Sequence, residues 1–219
     1  MPVSNPLPHY YDPIAFASEW WPGVRFYGKQ VDVIYSTLYD DETFVPAGNM
    51  LGKDFVGGFV CLYTFLAARL LGMTCRIVTT SVKDDHLRVL WGEIGRFAQT
   101  CKVPLLAGKG GGLVFNFRDV KWDATGCDPP GAKCEVSYLR GMVSEKGEGM
   151  AGHHADYTLA VIDEASGVDD LVYSQVDTWA KHKLVIGNPN PTKNFFYRAV
   201  KAGSRPYDAG AAETILKGR

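Results

Sequence analysis

The sequence has no apolar run long enough to cross a membrane. The nearest candidate, Phe55 to Leu71, is interrupted by two glycines and by Arg69, whereas a membrane-spanning helix needs roughly 20 consecutive apolar residues. The first twelve residues also lack a basic segment followed by an apolar one, so we expect no signal peptide. These absences predict a protein without a membrane-spanning helix.

Net charge is nearly absent as well. The chain carries 23 Lys and Arg against 24 Asp and Glu, which gives a formal net charge of -1. A protein that binds nucleic acid over a whole face is usually strongly basic. Any contact with DNA would therefore require a local basic patch.

Cysteine is scarce and odd in number, with five in the chain. An odd count without a secretory signal favours reduced thiols in a cytosol. Cys127 and Cys134 lie upstream of His153 and His154, a combination that suggests zinc, but the cysteine spacing is too wide for a usual zinc knuckle. We interpret the two cysteines as loop thiols and the two histidines as structural or polar contacts.

The apolar content of 46% in 219 residues is ordinary for one large α/β domain and leaves little room for a second. Strand patterns occur at 43–46, 75–79, 136–142, 159–163 and 183–186, with a strand or hairpin arm at 112–117. Helix patterns occur at 28–38, 53–71, 84–100, 168–181 and 194–201. This alternation predicts a mostly parallel sheet with right-handed crossovers. We assign residues 1–24 to an irregular lead-in, 25–202 to the domain and 203–219 to a polar tail.

The most informative stretch is an apolar run that ends in two adjacent acids. Leu159 to Ile162 is followed directly by Asp163 and Glu164. A run of this kind suits a strand that is buried on both faces of a parallel sheet, and ligands of such sheets bind beyond the carboxyl ends of the strands. The alternative interpretation is an acidic pair that caps the next helix.

A candidate phosphate-binding loop lies between a short strand and a long helix. It consists of Gly48, Asn49, Met50, Leu51, Gly52, Lys53 and Asp54. Backbone N–H groups at such a loop and helix N-terminus face phosphate, and the lysine contacts the β- and γ-phosphates. The pattern departs from the usual one, because Asp54 stands where Ser or Thr is expected and alanine stands at position 47. The alternative is a helix N-terminus with an acid in its first turn.

Three further positions are candidates, each with a plainer alternative. Asn188 follows the strand at 183–186 and its amide suits a γ-phosphate contact, although Asn-Pro also favours a simple turn. The hydroxyls of Thr79 to Ser81 suit contact with DNA phosphate or relay of motion, or capping of the next helix. Gln30, beside Phe26 and Tyr27, suits recognition of adenine with an aromatic ring stacked on the base, or is an exposed helix residue.

The order of these motifs resembles the ATPase domain of the large terminase subunit of tailed bacteriophages, the motors that drive DNA into the procapsid. The most specific stretches are 78–91, which begins Val-Thr-Thr-Ser-Val, and 153–166, which reads His-His-Ala-Asp-x-Thr-Leu-Ala-Val-Ile-Asp-Glu-Ala-Ser. The resemblance runs from about Tyr27 to Phe196.

The resemblance implies a three-layer P-loop NTPase of the RecA/ASCE-like α/β class, with a mostly parallel central sheet flanked by helices. It makes Gly48 to Asp54 the Walker A loop, with Lys53 catalytic and Asp54 a possible second metal ligand. It makes Asp163 the Walker B acid for Mg²⁺ and Glu164 the catalytic carboxylate. It places Asn188 in the coupling motif and matches Gln30 to the adenine-reading glutamine.

The implied cofactors are ATP and Mg²⁺. The implied partners are double-stranded DNA, the phage portal protein and the small terminase subunit. We expect a homo-oligomeric ring on the portal, a monomer in isolation, and a location in the cytoplasm of the bacterial host.

The sequence departs from the family pattern in three respects. Asp54 puts the Mg²⁺ geometry in question. Asn49 stands where many terminases carry an arginine, for which Arg140, Arg198 or a neighbouring subunit would have to substitute. The family usually carries a C-terminal nuclease, and only about 20 residues follow Phe196, whereas such a domain needs roughly 100, so we expect no nuclease activity from this chain.

Two alternatives to a packaging motor stay open. One is a nucleotide-binding or assembly module that no longer hydrolyses ATP, such as a prophage remnant, which Asp54 and Asn49 motivate. The other is a helicase-like ATPase of related fold.

Overall fold

The structure is a computed structural model that describes residues 12–48, 51–106, 112–123, 136–143, 149–190, 193–203 and 216–217. Its α-helices are α1 Pro13–Trp20, α2 Gly28–Tyr39, α3 Lys53–Leu70, α4 Asp84–Thr100, α5 Asp170–Asp177 and α6 Phe195–Gly203, with a short 3-10 helix at Ala165–Gly167. Its strands are β1 Glu42–Pro46, β2 Cys75–Ser81, β3 Leu113–Asn116, β4 Asp119–Trp122, β5 Tyr138–Val143, β6 Tyr157–Ile162, β7 His182–Gly187 and β8 Leu216–Lys217.

The strands form one sheet in the order β3-β4-β5-β2-β6-β7-β1-β8. The central run from β5 to β1 is parallel throughout, whereas β3, β4 and β8 pair antiparallel at the two edges. The predicted α/β class with a mostly parallel central sheet is therefore confirmed.

Helices cover both faces of the sheet, because successive residues of a strand point to opposite sides. In β6, Leu159 and Val161 pack into a core with α1 to α4, and Ala160 and Ile162 pack into a second core with α5 and α6. All six residues of β6 are buried. This double burial explains why the strand is continuously apolar, and it confirms three layers.

The sequence prediction was wrong for residues 13–20, which form α1 instead of an irregular lead-in. Asp12 caps the helix by accepting hydrogen bonds from the backbone N–H groups of Ile14 at 2.8 Å and Ala15 at 2.9 Å. The proline at the first helical position has a backbone angle that already suits a helix. Phe16 and Trp21 are buried, so these aromatic residues belong to the core.

Several other predicted elements differ at their ends. The expected helix over 168–181 is shorter, since α5 covers Asp170–Asp177 and a 3-10 turn precedes it. The strand β4 was not predicted; its burial is mostly partial, so it lacks a clear apolar pattern. Strand β8 lies within the predicted polar tail, and most of that tail lies outside the described residues.

The cysteines that the structure describes, Cys61, Cys75 and Cys101, are free thiols. Burial raises the pKa of Cys61 and Cys75 far above the usual thiol value, so both stay protonated. Cys127 and Cys134 lie outside the described residues. No helix in the described ranges is long and apolar enough to span a membrane.

Candidate functional site

The two sequence motifs meet at one edge of the sheet because β1, β7 and β6 are parallel neighbours. The strand β7 lies between the other two, with Pro46 opposite Gly187 and Ile162 opposite Val185. Beyond β1, the backbone N–H of Ala47 donates to the carbonyl of Gly187 at 3.0 Å. The candidate phosphate-binding loop and the acidic pair are therefore separated by two strand spacings, about 10 Å, which side chains can bridge.

Lys53 bridges that gap. It is the first residue of α3, and Gly52 turns the chain into the helix with a left-handed backbone (φ 74°). The Lys53 Nζ donates a hydrogen bond to Glu164 Oε1 and lies 3.5 Å from Asp163 Oδ1. The side chains of Lys53 and Asp163 are only 7% and 3% exposed, so the ion pairs are shielded from water.

Burial and neighbouring charge set the protonation of this cluster. Burial raises the pKa of Asp163 to about 6; Lys53 opposes the rise, whereas Asp54 and Glu164 add to it. Burial alone would lower the pKa of Lys53, but the charges of Asp163 and Glu164 outweigh it and the pKa is raised. Burial also raises the pKa of half-buried Asp54. Lys53 is thus charged at neutral pH and faces an excess of acids.

The carboxylates fit a magnesium ion that is shared with phosphate. Asp163 Oδ1 is buried and has no hydrogen-bond partner within the part of the chain that the structure describes, which is unusual for a carboxylate oxygen. Among the described residues, no group of three or more His, Cys, Asp or Glu side chains is arranged to hold a metal unaided. Protein Mg²⁺ sites commonly use one or two carboxylates together with substrate phosphates and water, so Asp163, with Asp54 nearby, suits that kind of site.

The backbone at Glu164 is held in an uncommon conformation. Its φ of 50° and ψ of 43° lie in the left-handed region, which residues other than glycine adopt rarely. The chain then enters the 3-10 turn at 165–167. This kink ends the strand and turns the Glu164 side chain back towards Lys53.

A pocket of about 380 Å³, open to solvent, lies beside the loop. Its floor is apolar and consists of Val33, Val45, Ala47, Val56 and Ile186. At its rim stand Tyr27, which is 48% exposed, and Gln30, which is 8% exposed. The Tyr27 hydroxyl donates to the Leu51 carbonyl at 2.9 Å, and a Cβ placed on Gly52 would lie 2.7 Å from Gln30 Nε2. Tyr27 and Gln30 thus contact the loop directly.

Solved structures with a similar fold include phage large terminases. The ATPase domain of the large terminase from Thermus phage P74-26 matches with a TM-score of 0.61 at 14% identity, covering 88% of this chain and 75% of that one. An arginine-to-alanine variant of that domain matches with a TM-score of 0.62 at the same identity and coverage. The large terminase of bacteriophage HK97 matches with a TM-score of 0.55 at 14% identity, covering 90% of this chain and 44% of that one.

This chain has the fold of a phage large terminase ATPase domain. At 14% identity the likeness establishes the fold, as the motif order predicted. No family model and no curated protein matches the sequence.

Within the terminase fold, most of the predicted site residues come together. Lys53, Asp163 and Glu164 are in contact, and Leu51, Gly52 and Gln30 line the adjoining pocket. Gly48 is half-buried between β1 and the loop. Asn49 and Met50 lie outside the described residues. The ligand-binding roles assigned to these residues stay predictions.

The remaining candidates have structural partners. Asn188 is half-buried directly beyond β7, on the edge where the acids lie. Arg140 forms an ion pair with Asp119 at 3.2 Å, and Arg198 forms one with Asp170 at 2.8 Å.

The hydroxyls of 79–81 do not cap the next helix, because the N-cap of α4 is Lys83. Instead, the buried Thr79 hydroxyl accepts a hydrogen bond from the indole of Trp91 at 2.9 Å, which joins β2 to α4. Thr80 and Ser81 are buried as well.

His153 has the structural role that the sequence suggested. It is buried, bonds with the hydroxyl of Tyr138 and the carbonyl of Gly149, and lies edge-on to Trp179. Burial lowers its pKa, so the ring is neutral at pH 7.

Two side-chain contacts at the site were missed by sequence reasoning. The Tyr27 hydroxyl holds the loop, although only its ring was considered. Asn194 donates to the backbone beyond Glu164. An asparagine at the start of a predicted helix signals an N-cap, but the pattern does not reveal what else its amide contacts.

Proposed function

We propose that this chain is the ATP-hydrolysing motor domain of a phage DNA-packaging terminase large subunit. One observation carries the proposal: in a fold shared with terminase ATPase domains, Lys53 at the start of α3 pairs with Asp163 and Glu164 beyond β6. In phosphoryl transfer, a lysine at a helix N-terminus contacts the phosphates, and acids facing it hold the metal and position the nucleophile.

Each residue of the site has a role in hydrolysis. Lys53 exchanges its bonds to the acids for the β- and γ-phosphates of ATP, which releases Glu164. The backbone of Leu51 and Gly52 faces the phosphates, and the apolar pocket with Gln30 holds the adenine. Glu164 then orients and deprotonates the attacking water. Asp163 and Asp54 would hold Mg²⁺, which when bound offsets the negative charge of the phosphates.

Coupling to movement follows from the position of β7. The amide of Asn188 senses the γ-phosphate and its loss, and β7 transmits the change because it lies between the two motif strands. The substrate moved is double-stranded DNA, and the proposed partners are the portal protein and the small terminase subunit. The motor acts as a homo-oligomeric ring in the cytoplasm of the bacterial host.

The test is the steady-state ATPase rate of the purified chain with Mg²⁺ and double-stranded DNA. Glu164→Gln is expected to lower kcat by about 10²–10⁴-fold, the usual contribution of a general base, while an ATP analogue still binds. Glu19→Gln, which changes an exposed acid on α1, is the control and should leave the rate unchanged. Binding of ATP without hydrolysis by the wild-type chain, even with DNA, portal and small subunit present, would contradict the proposal.

Asp54 motivates a second candidate, a nucleotide-binding module without turnover. Its carboxylate is half-buried and is repelled by Glu164 and Glu93, so it adds negative charge where phosphates would bind. Titration of an ATP analogue with and without Mg²⁺ separates the two functions. Binding in both conditions with no hydrolysis favours the module, and unwinding of duplex DNA would indicate a helicase-like ATPase instead.

A further inference from the structure

We propose that Asn194 is a positioning residue for catalysis: its side-chain amide holds the turn that aims Glu164. The inference rests on the proposed function, because it assigns Glu164 the role of catalytic carboxylate. It adds a residue that lies 30 positions downstream (194 − 164) and belongs to a different element, the start of α6.

Glu164 requires such support because of its backbone. Among the described residues, only Glu164 and Phe117 combine a positive φ with a side chain other than hydrogen. Such a conformation costs energy and persists only where the surroundings hold it. Whatever fixes the next few residues therefore fixes the direction of the Glu164 side chain.

The Asn194 amide fixes both ends of those residues. Its Nδ2 donates to the carbonyl of Ala165 at 2.7 Å and to the carbonyl of Val168 at 2.9 Å. These are the carbonyls of the first residue of the 3-10 turn and of the residue that follows the turn. Within the turn, the N–H of Gly167 donates to the carbonyl of Glu164 at 2.9 Å, so the turn and Glu164 are one hydrogen-bonded unit.

The backbone of the turn is also packed against the end of β7. A Cβ placed on Gly187 would lie 3.0 Å from the backbone N of Ala165 and 3.1 Å from that of Ser166. The turn is consequently held both by the end of β7 and by the Asn194 amide. Loss of the amide would leave the contact with β7 in place, which predicts displacement of Glu164 with the fold retained.

Asn194 also caps α6, and this second role must be separated from the first. Its Oδ1 accepts from the N–H of Tyr197 at 3.2 Å. Asn194→Asp keeps a good N-cap acceptor but replaces the donor with an oxygen that repels both carbonyls. Asn194→Ser also keeps a cap, without charge, and is too short to reach the turn.

A matched control weakens the docking of α6 without touching the turn. Asp170 accepts from the N–H of Phe195 at 2.6 Å and pairs with Arg198 at 2.8 Å. Asp170→Ala removes both contacts and leaves the Asn194 amide in place. A loss shared by Asp170→Ala and the Asn194 variants would reflect helix docking, not positioning.

The first experiment measures kcat and KM for ATP. Asn194→Asp and Asn194→Ser are expected to lower kcat by roughly 10- to 100-fold, since small misplacement of a catalytic group costs about that much, while KM changes less than about threefold. Asp170→Ala should change kcat by less than about twofold. In a Glu164→Gln background, the Asn194 substitutions should cause no further loss, because they act through the carboxylate.

A second experiment reads the turn without turnover. In hydrogen–deuterium exchange, the amides of Gly167 and Val168 should exchange faster in Asn194→Asp than in wild type and should be unchanged in Asp170→Ala. The positioning role is overturned if exchange is unaltered, if kcat is unaffected, or if the loss persists undiminished with Glu164→Gln. A wild-type chain that hydrolyses no ATP would instead refute the proposed function, and with it the catalytic role of the turn.

Discussion

The acidic side of the candidate site follows a strand whose six residues are all buried, whereas Leu51 and Gly52 on the phosphate side are half-buried. The turn directly after the acids packs its backbone against Gly187 and accepts hydrogen bonds from the Asn194 amide. The loop is held by two side chains of the neighbouring pocket, Tyr27 and Gln30. One side is thus part of the core, and the other depends on groups that the proposed nucleotide would itself contact.

The two sides also differ in how closely their residues follow the family pattern. Asp163 and Glu164 are the residue types that the proposed hydrolysis uses. Asp54, which departs from the family pattern, lies on the phosphate side. From this comparison we predict that substitutions on the acidic side lower kcat. Substitutions on the phosphate side should instead change the affinity for ATP and the dependence on Mg²⁺.

The largest expected effect comes from Lys53→Ala, which removes the residue that joins the two sides. It should lower kcat/KM for ATP by about 10²-fold or more, as loss of a charge-stabilising donor does. It also leaves Asp163 buried beside Glu164 without a cation, so the pKa of Asp163 rises further. Steady-state kinetics check the first effect, and an unaltered kcat/KM would show that Lys53 does not contact the phosphates.

The acidic side should also determine the pH dependence. Burial raises the pKa of Asp163 to about 6. In the free protein, Asp163 is therefore protonated in half of the molecules at that pH and in a larger fraction at lower pH. If ionised Asp163 is required, kcat/KM falls about tenfold per pH unit below 6 and is flat above it. Circular dichroism over the same range controls for unfolding. A profile without an acid limb near pH 6 contradicts the assignment.

Alanine substitution of one glycine on each side compares how tightly the two sides are packed. Gly187→Ala forces a Cβ within 3.1 Å of backbone, so it should cost about 1–3 kcal/mol of stability and lower kcat. Gly48→Ala places a Cβ 3.9 Å from Leu51 Cδ1, an ordinary contact, and should change stability by less than about 0.5 kcal/mol. Chemical denaturation measures the change in the free energy of unfolding for both variants. Equal changes would show that the two sides do not differ in packing.

The smallest effect is expected from Tyr27→Phe, which keeps the ring and removes the hydroxyl that holds Leu51. The lost hydrogen bond is worth about 1 kcal/mol, so KM for ATP should rise about fivefold with kcat unchanged. Tyr39→Phe, an exposed tyrosine at the end of α2, is the control. A fall in kcat with unaltered KM would mean that the loop contact serves turnover instead of binding.

Local pattern predicted much of the fold and the site. The buried strand before Asp163 was recognisable because a parallel strand covered on both faces is continuously apolar. The helix after Gly52 was recognisable from its length and apolar content. The first helix was missed because Pro13 and the aromatic residues around it resemble an irregular segment until their burial is known. Asn194 was missed because its hydrogen-bond partners lie in a distant part of the sequence.

The sequence by itself determined which residues could do the chemistry: an apolar strand ending in two acids, and a glycine-lysine pair entering a helix. Those are local properties that composition and periodicity encode. Only the tertiary structure decided that β7 lies between β1 and β6, that Lys53 bonds to an acid 111 residues away, and that Asn194 holds the turn beyond Glu164. Strand order and long-range hydrogen bonds arise from how crossovers pack the two cores, and no single segment carries that information.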